Sequence, residues 1–171
     1  MDIEKNLIKT KNIKMKPKIG ISEKNLNHST TLLSNILADE MILYIKTRKF
    51  HWNVSGESFM ELHKLFQAQY SELEETIDLI AERINKLGAN TIGTMNEFVS
   101  LTRLKESPAT YPSQKDMMKE LLTDHERVII ELRKDITELV EKSKDAGTID
   151  FLTGIMEQHE STSWILRRYL K

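Results

Sequence analysis

A chain of 171 residues, 39% hydrophobic and 30% charged, is long enough for one domain with a sizeable core. No stretch approaches the roughly 18 apolar residues of a membrane span, and the absence of cysteine excludes a disulfide framework or a thiolate metal site. Three prolines, six glycines and few β-branched clusters favour an all-helical chain.

The net charge is −1, but it is unevenly placed. Residues 1–22 carry Lys5, Lys9, Lys11, Lys14, Lys16 and Lys18 against Asp2 and Glu4, a net +4, which leaves 19 basic and 24 acidic residues, a net −5, for the rest. No sustained helical period runs through this segment, and Pro17 and Gly20 interrupt it. The expected organisation is a flexible lysine-rich arm over residues 1–22 and a single folded domain over 23–171. The arm has no apolar stretch of the kind a secretory signal carries, so a cytoplasmic location is expected.

In chain order, apolar residues at helical spacing predict a first helix over 25–54, with Leu33, Leu37, Met41 and Tyr44 on one face. That face continues through Arg48 to His51, and Gly56 ends the helix. A second helix over 58–87 places Phe59, Leu62, Phe66, Tyr70, Leu73, Ile77, Ala81 and Ile84 on its core side, with Gly88 as its stop. Thr94 and Glu97 have capping-box spacing and start a short helix over 95–102. A third long helix starts near Ser113, with Asp116 in capping position, and runs to about Ser143 through Leu121, His125, Leu132 and Leu139. Gly147 is read as the break, after which Thr148 and Asp150 open a fourth helix carrying Leu152, Ile155, His159 and Leu166. The predicted fold is an all-α four-helix bundle with a short extra helix between the second and third long helices. That connection is long enough to cross the bundle, as in ferritin-like folds.

One stretch concentrates ligand chemistry. His51 precedes the glycine break, and His63, Gln67, Glu74, Asp78 and Glu82 follow along the second helix. Imidazole and carboxylate suit borderline and hard divalent metals. Acids four apart on a helix repel by about 0.2–0.5 kcal/mol per pair. Glu74, Asp78 and Glu82 therefore call for a compensating charge, either Lys86 or a metal ion. The Glu-x-x-His pairs of an intrachain di-iron bundle are absent, since Asn25, Arg48, Met60, Leu122 and Met156 stand three residues before the five histidines.

His63 and Asp78 are 15 residues apart, about 22 Å along a helix axis, too far for one ion to touch both. His51 can meet His63 across the turn, and Asp78 can meet Glu82 one helical turn away. Each chain thus carries two half-sites, and an antiparallel two-fold pairing crossing near Ser71–Glu72 would set histidines against acids twice per dimer. His28, His125 and His159 are read as capping, surface or core-edge groups.

The pattern Tyr44-x6-His51-Trp52-Asn53-Val54-x-Gly56-x2-Phe59-x2-Leu62-His63, followed by Asp78-x2-Ala81-Glu82-Arg83-Ile84-x2-Leu87-Gly88, resembles the Dps family. These are the mini-ferritins known as DNA-binding proteins from starved cells, and the resemblance covers roughly residues 25–170. It implies a ferritin-like dodecameric shell with two-fold and three-fold interfaces. It also implies a dinuclear iron centre at each two-fold interface, with His51 and His63 from one subunit and Asp78 and Glu82 from its partner; other divalent metals can occupy such a site in vitro. The implied activity is ferroxidase: ferrous iron is oxidised, with hydrogen peroxide preferred over dioxygen, and ferric mineral is stored, which protects against oxidative damage.

The same resemblance places Trp52 near the centre, as a quencher of oxidising equivalents or as interface packing. Gln67 stands where the family commonly has an acid, so it is expected to be a weak ligand. Glu141, Asp145 and Asp150 fall in the region that lines acidic three-fold pores in the family. The rival reading is a nucleoid-associated protein that compacts DNA through the six lysines of the arm, with iron chemistry secondary.

Overall fold

The computed structural model of the protein describes residues 16–171. Lys5, Lys9, Lys11 and Lys14 therefore lie outside the described residues. Five helices follow in order: α1 Glu23–Asn53, α2 Phe59–Lys86, α3 Met95–Leu101, α4 Gln114–Lys142 and α5 Ala146–Tyr169. The domain is all-α among the described residues, with a ferritin-like bundle of four long helices and the short one in the connection between α2 and α4, as predicted.

Local chemistry sets the ends. Ser22 caps α1 by accepting from the Asn25 amide, and Ser113 caps α4 by accepting from the Asp116 amide. Thr94 and Glu97 form a complete capping box on α3. At the end of α2 the Ala89 amide donates to the Ile84 carbonyl and the Gly88 amide to Asn85, a Schellman closure that needs the left-handed Gly88 (φ 89°).

The junction of α4 and α5 differs from expectation. The chain reverses at Ser143–Asp145, with Lys144 in the left-handed region (φ 54°), and Asp145 caps α5. Gly147 lies inside the first turn of α5. A side chain there would stand 3.0 Å from Arg83 Nη2, so this glycine admits a close approach and does not break the helix.

The direction of the helices follows from contacts at their ends. Asn25 Nδ2 donates to the Ser143 carbonyl, so α1 starts where α4 ends. The Tyr169 hydroxyl donates to Glu61, so α5 ends where α2 starts. Hence α1 and α2 are antiparallel, α4 and α5 are antiparallel, and α2 and α4 run the same way. The connection must therefore traverse the length of the bundle, and α3 packs on α1 along that path. The core is lined by Leu33, Leu37, Leu43, Phe50, Phe66, Ile80, Ile84, Leu121, Leu132 and Leu166, all essentially inaccessible to solvent.

The inward face of α2 is rotated from the predicted stripe. Leu62, Phe66, Gln69, Leu73, Thr76, Ile80 and Ile84 are buried, whereas Tyr70, Ile77 and Ala81 lie at the edge and Phe59 is exposed. The apolar count alone favoured Tyr70 and Ile77; the packed core admits Gln69 and Thr76 in their place.

The crossing connection is held by one cation. Arg103 Nε donates to Asp39 Oδ2 at 2.7 Å and Nη1 to Asp135 Oδ2 at 2.8 Å, with Glu131 at 3.5 Å, tying the loop to α1 and α4 together. Burial pushes the Asp39 and Asp135 carboxyls above the ordinary range, and the guanidinium pulls them partly back. Removing the cation leaves buried acids unpaired, which costs about 3–5 kcal/mol. Arg103→Ala is therefore expected to lower the unfolding free energy by about that amount near neutral pH. Carboxyls raised in the fold lose stability as pH rises through their titration, so the deficit should shrink on acidification. Denaturant unfolding at two pH values checks both; a deficit that grows in acid would count against the assignment.

Candidate metal centre

The five-residue turn between α1 and α2 folds His51 of the last turn of α1 onto His63 of the second turn of α2. Their rings stack with centroids 3.8 Å apart and planes 21° apart. Each ring is locked by the other's backbone: His51 Nδ1 lies 2.8 Å from the His63 carbonyl, and His63 Nδ1 lies 2.9 Å from the His51 carbonyl. A carbonyl only accepts, so both Nδ1 atoms carry the proton and both Nε2 atoms keep a free lone pair. The His51 carbonyl is available because the last carbonyls of a helix have no intrahelical partner. Fixing the tautomer through the second ring nitrogen is how metal-binding histidines are usually oriented.

An aromatic and cationic wall stands behind the pair. Tyr70 meets the His51 ring at 5.2 Å nearly edge-on, and Phe59 lies 5.2 Å from His63. Arg48 donates to the Tyr44 hydroxyl. Its guanidinium also lies over the rings of Tyr70 at 4.8 Å and of Tyr44 and Trp52 at 5.6 Å. Trp52 itself is 65% exposed, a large apolar surface beside the histidines. Gln67, one turn beyond His63, is also exposed.

Asp78 and Glu82 are exposed on α2, far down the helix from the histidines. Lys86 Nζ sits 2.8 Å from Glu82 Oε2, and this hydrogen bond holds the Glu82 carboxyl below its ordinary range. The expected compensation of the acid run is thus met at Glu82 by Lys86. Glu74 and Asp78 have no ion-pair partner among the described residues, and with Tyr44, Met41, Ile77 and Ala81 they line a shallow groove. Among the described residues of one chain, no three histidine, aspartate or glutamate side chains converge on a point where an ion could sit. The structure brings His51 to His63, and it leaves Asp78 and Glu82 as a separate pair.

The remaining candidates divide. Glu141 and Asp150 are exposed, whereas Asp145 is buried and accepts from the Thr148 amide and hydroxyl and from Arg83 Nη2. Its carboxylate is committed to the cap of α5. Of the arm, Lys16 pairs with Glu23 at 2.7 Å, and Lys18 is exposed. His28 meets Glu138 at 3.3 Å near the surface.

The reading of His125 and His159 as peripheral is overturned. Both are 2% exposed, with Nδ1 atoms 2.8 Å apart, and His159 Nε2 lies 2.8 Å from Oε1 of the fully buried Glu40. Burial and then the neighbouring His159 hold His125 well below the ordinary imidazole range. The signal was available: both histidines fall on apolar stripes, and Glu40 stands on the inward face of α1 between Ile36 and Leu43.

A bundle of this topology, with His63 and a run of carboxylates on one long helix and His51 facing it from the helix before, is that of a ferritin-like protein. A ferritin-like domain model matches residues 30–171. An uncharacterized low temperature-induced protein, all0458, of Nostoc sp. is 41% identical over 153 residues, covering 90% of this chain and 86% of that one. DNA protection during starvation protein 2 of Bacillus anthracis is 34% identical, covering 81% and 94%. The structure also superposes on the Dps protein of Vibrio cholerae O1 with TM-score 0.84 at 28% identity, over 91% and 96% of the two chains. DpsC of Streptomyces coelicolor gives 0.86 at 27%, over 90% and 89%. The chain belongs to the Dps family of ferritin-like proteins. Among the described residues, no helix is long and apolar enough to cross a membrane.

Charge beside either pair of side chains should set how tightly a divalent cation binds. Lys86 occupies Glu82 and repels a cation, so Lys86→Met is expected to tighten Zn²⁺ or Co²⁺ binding roughly two- to fivefold, the range of an exposed ion pair. Gln67→Asp, which restores an acid beside His63, should tighten it as well. Calorimetric titration checks both; unchanged affinities would remove Glu82 and residue 67 from the ligand set.

Proposed function

We propose that this protein is a ferroxidase of the mini-ferritin type, whose iron centres are completed only when two chains pair. The observation that carries the reading is the separation on α2: two locked imidazoles with free Nε2 atoms at one end, and Asp78 with Glu82 about 22 Å away. Antiparallel pairing about a two-fold axis near Ser71–Glu72 sets each histidine pair against the partner's acids.

There the Nε2 lone pairs and the carboxylates together bind two ferrous ions as substrate. Each ion gives one electron to hydrogen peroxide, whose O–O bond breaks to two waters with uptake of two protons. Spending both electrons in one encounter avoids the one-electron route to hydroxyl radical, and peroxide rather than dioxygen is the oxidant that the family resemblance implies. Gln67 offers a neutral carbonyl where an acid would add charge, so one iron position is weaker than the other. Trp52, exposed and beside Arg48, is placed to be covered by the partner and to reduce stray oxidant. In a dodecameric cytoplasmic shell, Glu141 and Asp150 would draw ferrous iron to the pores by focusing the field, and ferric mineral would fill the cavity.

Complementation between subunits tests this. His51→Ala/His63→Ala chains and Asp78→Ala/Glu82→Ala chains should each oxidise iron only at background. Co-assembled in equal amounts, they restore one intact centre in each mixed dimer, and stopped-flow oxidation with hydrogen peroxide should recover to roughly a quarter of the wild-type rate. A site closed within one chain predicts no recovery.

A second reading, DNA binding through the lysine-rich residues 1–22, is favoured by the contrast between their net charge of +4 and the −5 of the remainder. Each lysine that neutralises a phosphate adds about −0.9 to the slope of log K against log salt. Gel shifts at low salt should show binding that fades with salt and disappears when 1–22 is deleted; binding that survives the deletion would place the contact on the body.

A further inference from the structure

Outside the candidate centre, the bundle core holds three titratable side chains strung in a line across three helices. Glu40 of α1 is wholly buried, His159 of α5 and His125 of α4 nearly so, and the two contacts that join them are each 2.8 Å. The line ends at both sides on a buried atom without a partner, Glu40 Oε2 and His125 Nε2. Because His159 stands in the middle with one nitrogen toward each neighbour, the three do not converge on a point as metal ligands must.

Counting hydrogens fixes what the line can hold. With Glu40 ionised, His159 Nε2–H donates to Glu40 Oε1, and His125 Nδ1–H donates to His159 Nδ1. That arrangement leaves a bare lone pair on His125 Nε2 and a net charge of −1. No lysine or arginine pairs with Glu40 among the described residues. The other buried titratable groups face elsewhere: Asp39 of α1 with Glu131 and Asp135 of α4 meet Arg103, Lys46 of α1 meets Asp124 and Glu120 of α4, Asp145 before α5 meets Arg83, and His51 of α1 meets the His63 carbonyl. The buried face of α2 carries no titratable side chain, and that of α5 carries only His159.

We propose that Glu40, His159 and His125 form a proton-binding site that takes up one proton as a unit at His125 Nε2 and stores it on Glu40. On uptake a proton bonds to His125 Nε2, the His125 Nδ1 proton passes to His159 Nδ1, and the His159 Nε2 proton passes to Glu40 Oε1. Three N–H or O–H bonds form and two break, no heavy atom moves, and the line becomes neutral. The burial that disfavours an imidazolium at His125 drives the proton onward. Acidification thus removes a buried negative charge from the core where an isolated buried histidine would add a positive one.

Ser163 Oγ, one turn beyond His159 on α5, and the Gln69 amide of α2 are likewise buried and unpartnered. From the Thr76–Gln158 contact, the helical rise puts both of them at about one level of the bundle.

Difference infrared spectroscopy of the assembled full-length protein across pH tests the site. Beside the bands of other buried carboxyls such as Asp39 and Asp135, the wild type should show a buried carboxylic-acid carbonyl band of Glu40 that grows as pH falls, together with histidine-ring bands that switch tautomer at the same midpoint. Glu40→Gln should abolish that band and the linked switch. His125→Leu should displace the midpoint of the Glu40 band by about one pH unit or more, as expected of coupled groups. Absence of the band throughout the folded range, ring bands that stay fixed while it titrates, or an unmoved midpoint in His125→Leu would each overturn the proposal. The wild-type comparison of the two sets of bands stands even if a variant fails to fold.

Discussion

The reciprocal bonds between His51 and His63 are the constraint from which the rest of the site follows. Two imidazoles would ordinarily rotate and exchange tautomers; here each is pinned by a carbonyl from the other's helix. The pin is possible only because the turn after Asn53 is short and α1 and α2 are antiparallel, so that the end of one helix meets the start of the next. A carbonyl left over at a helix terminus, usually a liability to be satisfied by water, becomes the device that aims a ligand.

The length of α2 then divides the chemistry. A continuous 28-residue helix is stiff, and it holds Asp78 and Glu82 more than half its length away from His63. Nothing in the bundle bends to close that gap, and the chain keeps α2's outer face polar, with Gln67, Glu74, Asp78 and Glu82 all accessible. The crossing connection is anchored elsewhere, by Arg103 against α1 and α4, so it leaves this face uncovered. The scaffold is stabilised away from the site and left open at it.

Much of this was legible from sequence because it rests on periodicity and caps. The four long helices, the capping box at Thr94 and the stop at Gly88 each have a local cause, and the structure places them within a few residues of expectation. The errors arise where the cause is not local. Gly147 looks like a break, yet its small size serves Arg83, which is 64 residues away in sequence. Tyr70 outranks Gln69 on hydrophobicity, but the core takes the glutamine because four helices, not one, decide which face is buried. Asp145, expected in the pore region, caps α5 and accepts from Arg83 of α2, a partner that its sequence neighbours do not reveal. Glu40 sits on an apolar stripe in plain view, but a carboxylate there makes sense only when its imidazole partner on α5 is known.

The two histidine pairs show that residue type does not settle function; the second partner does. His51 and His63 spend their Nδ1 protons on carbonyls, groups that cannot donate, and both remaining lone pairs are left free. His125 and His159 spend theirs on each other, so one must donate and the other accept, and the choice propagates to Glu40. Parallel, independently fixed imidazoles suit a cation that needs several donors at once. Imidazoles in series, buried and coupled, suit a proton, which needs only one acceptor at a time. A single domain therefore holds two pairs of the same side chain in opposite electrical arrangements. The outer one lies at the junction of α1 and α2 beside exposed Trp52, and the inner one is sealed from solvent.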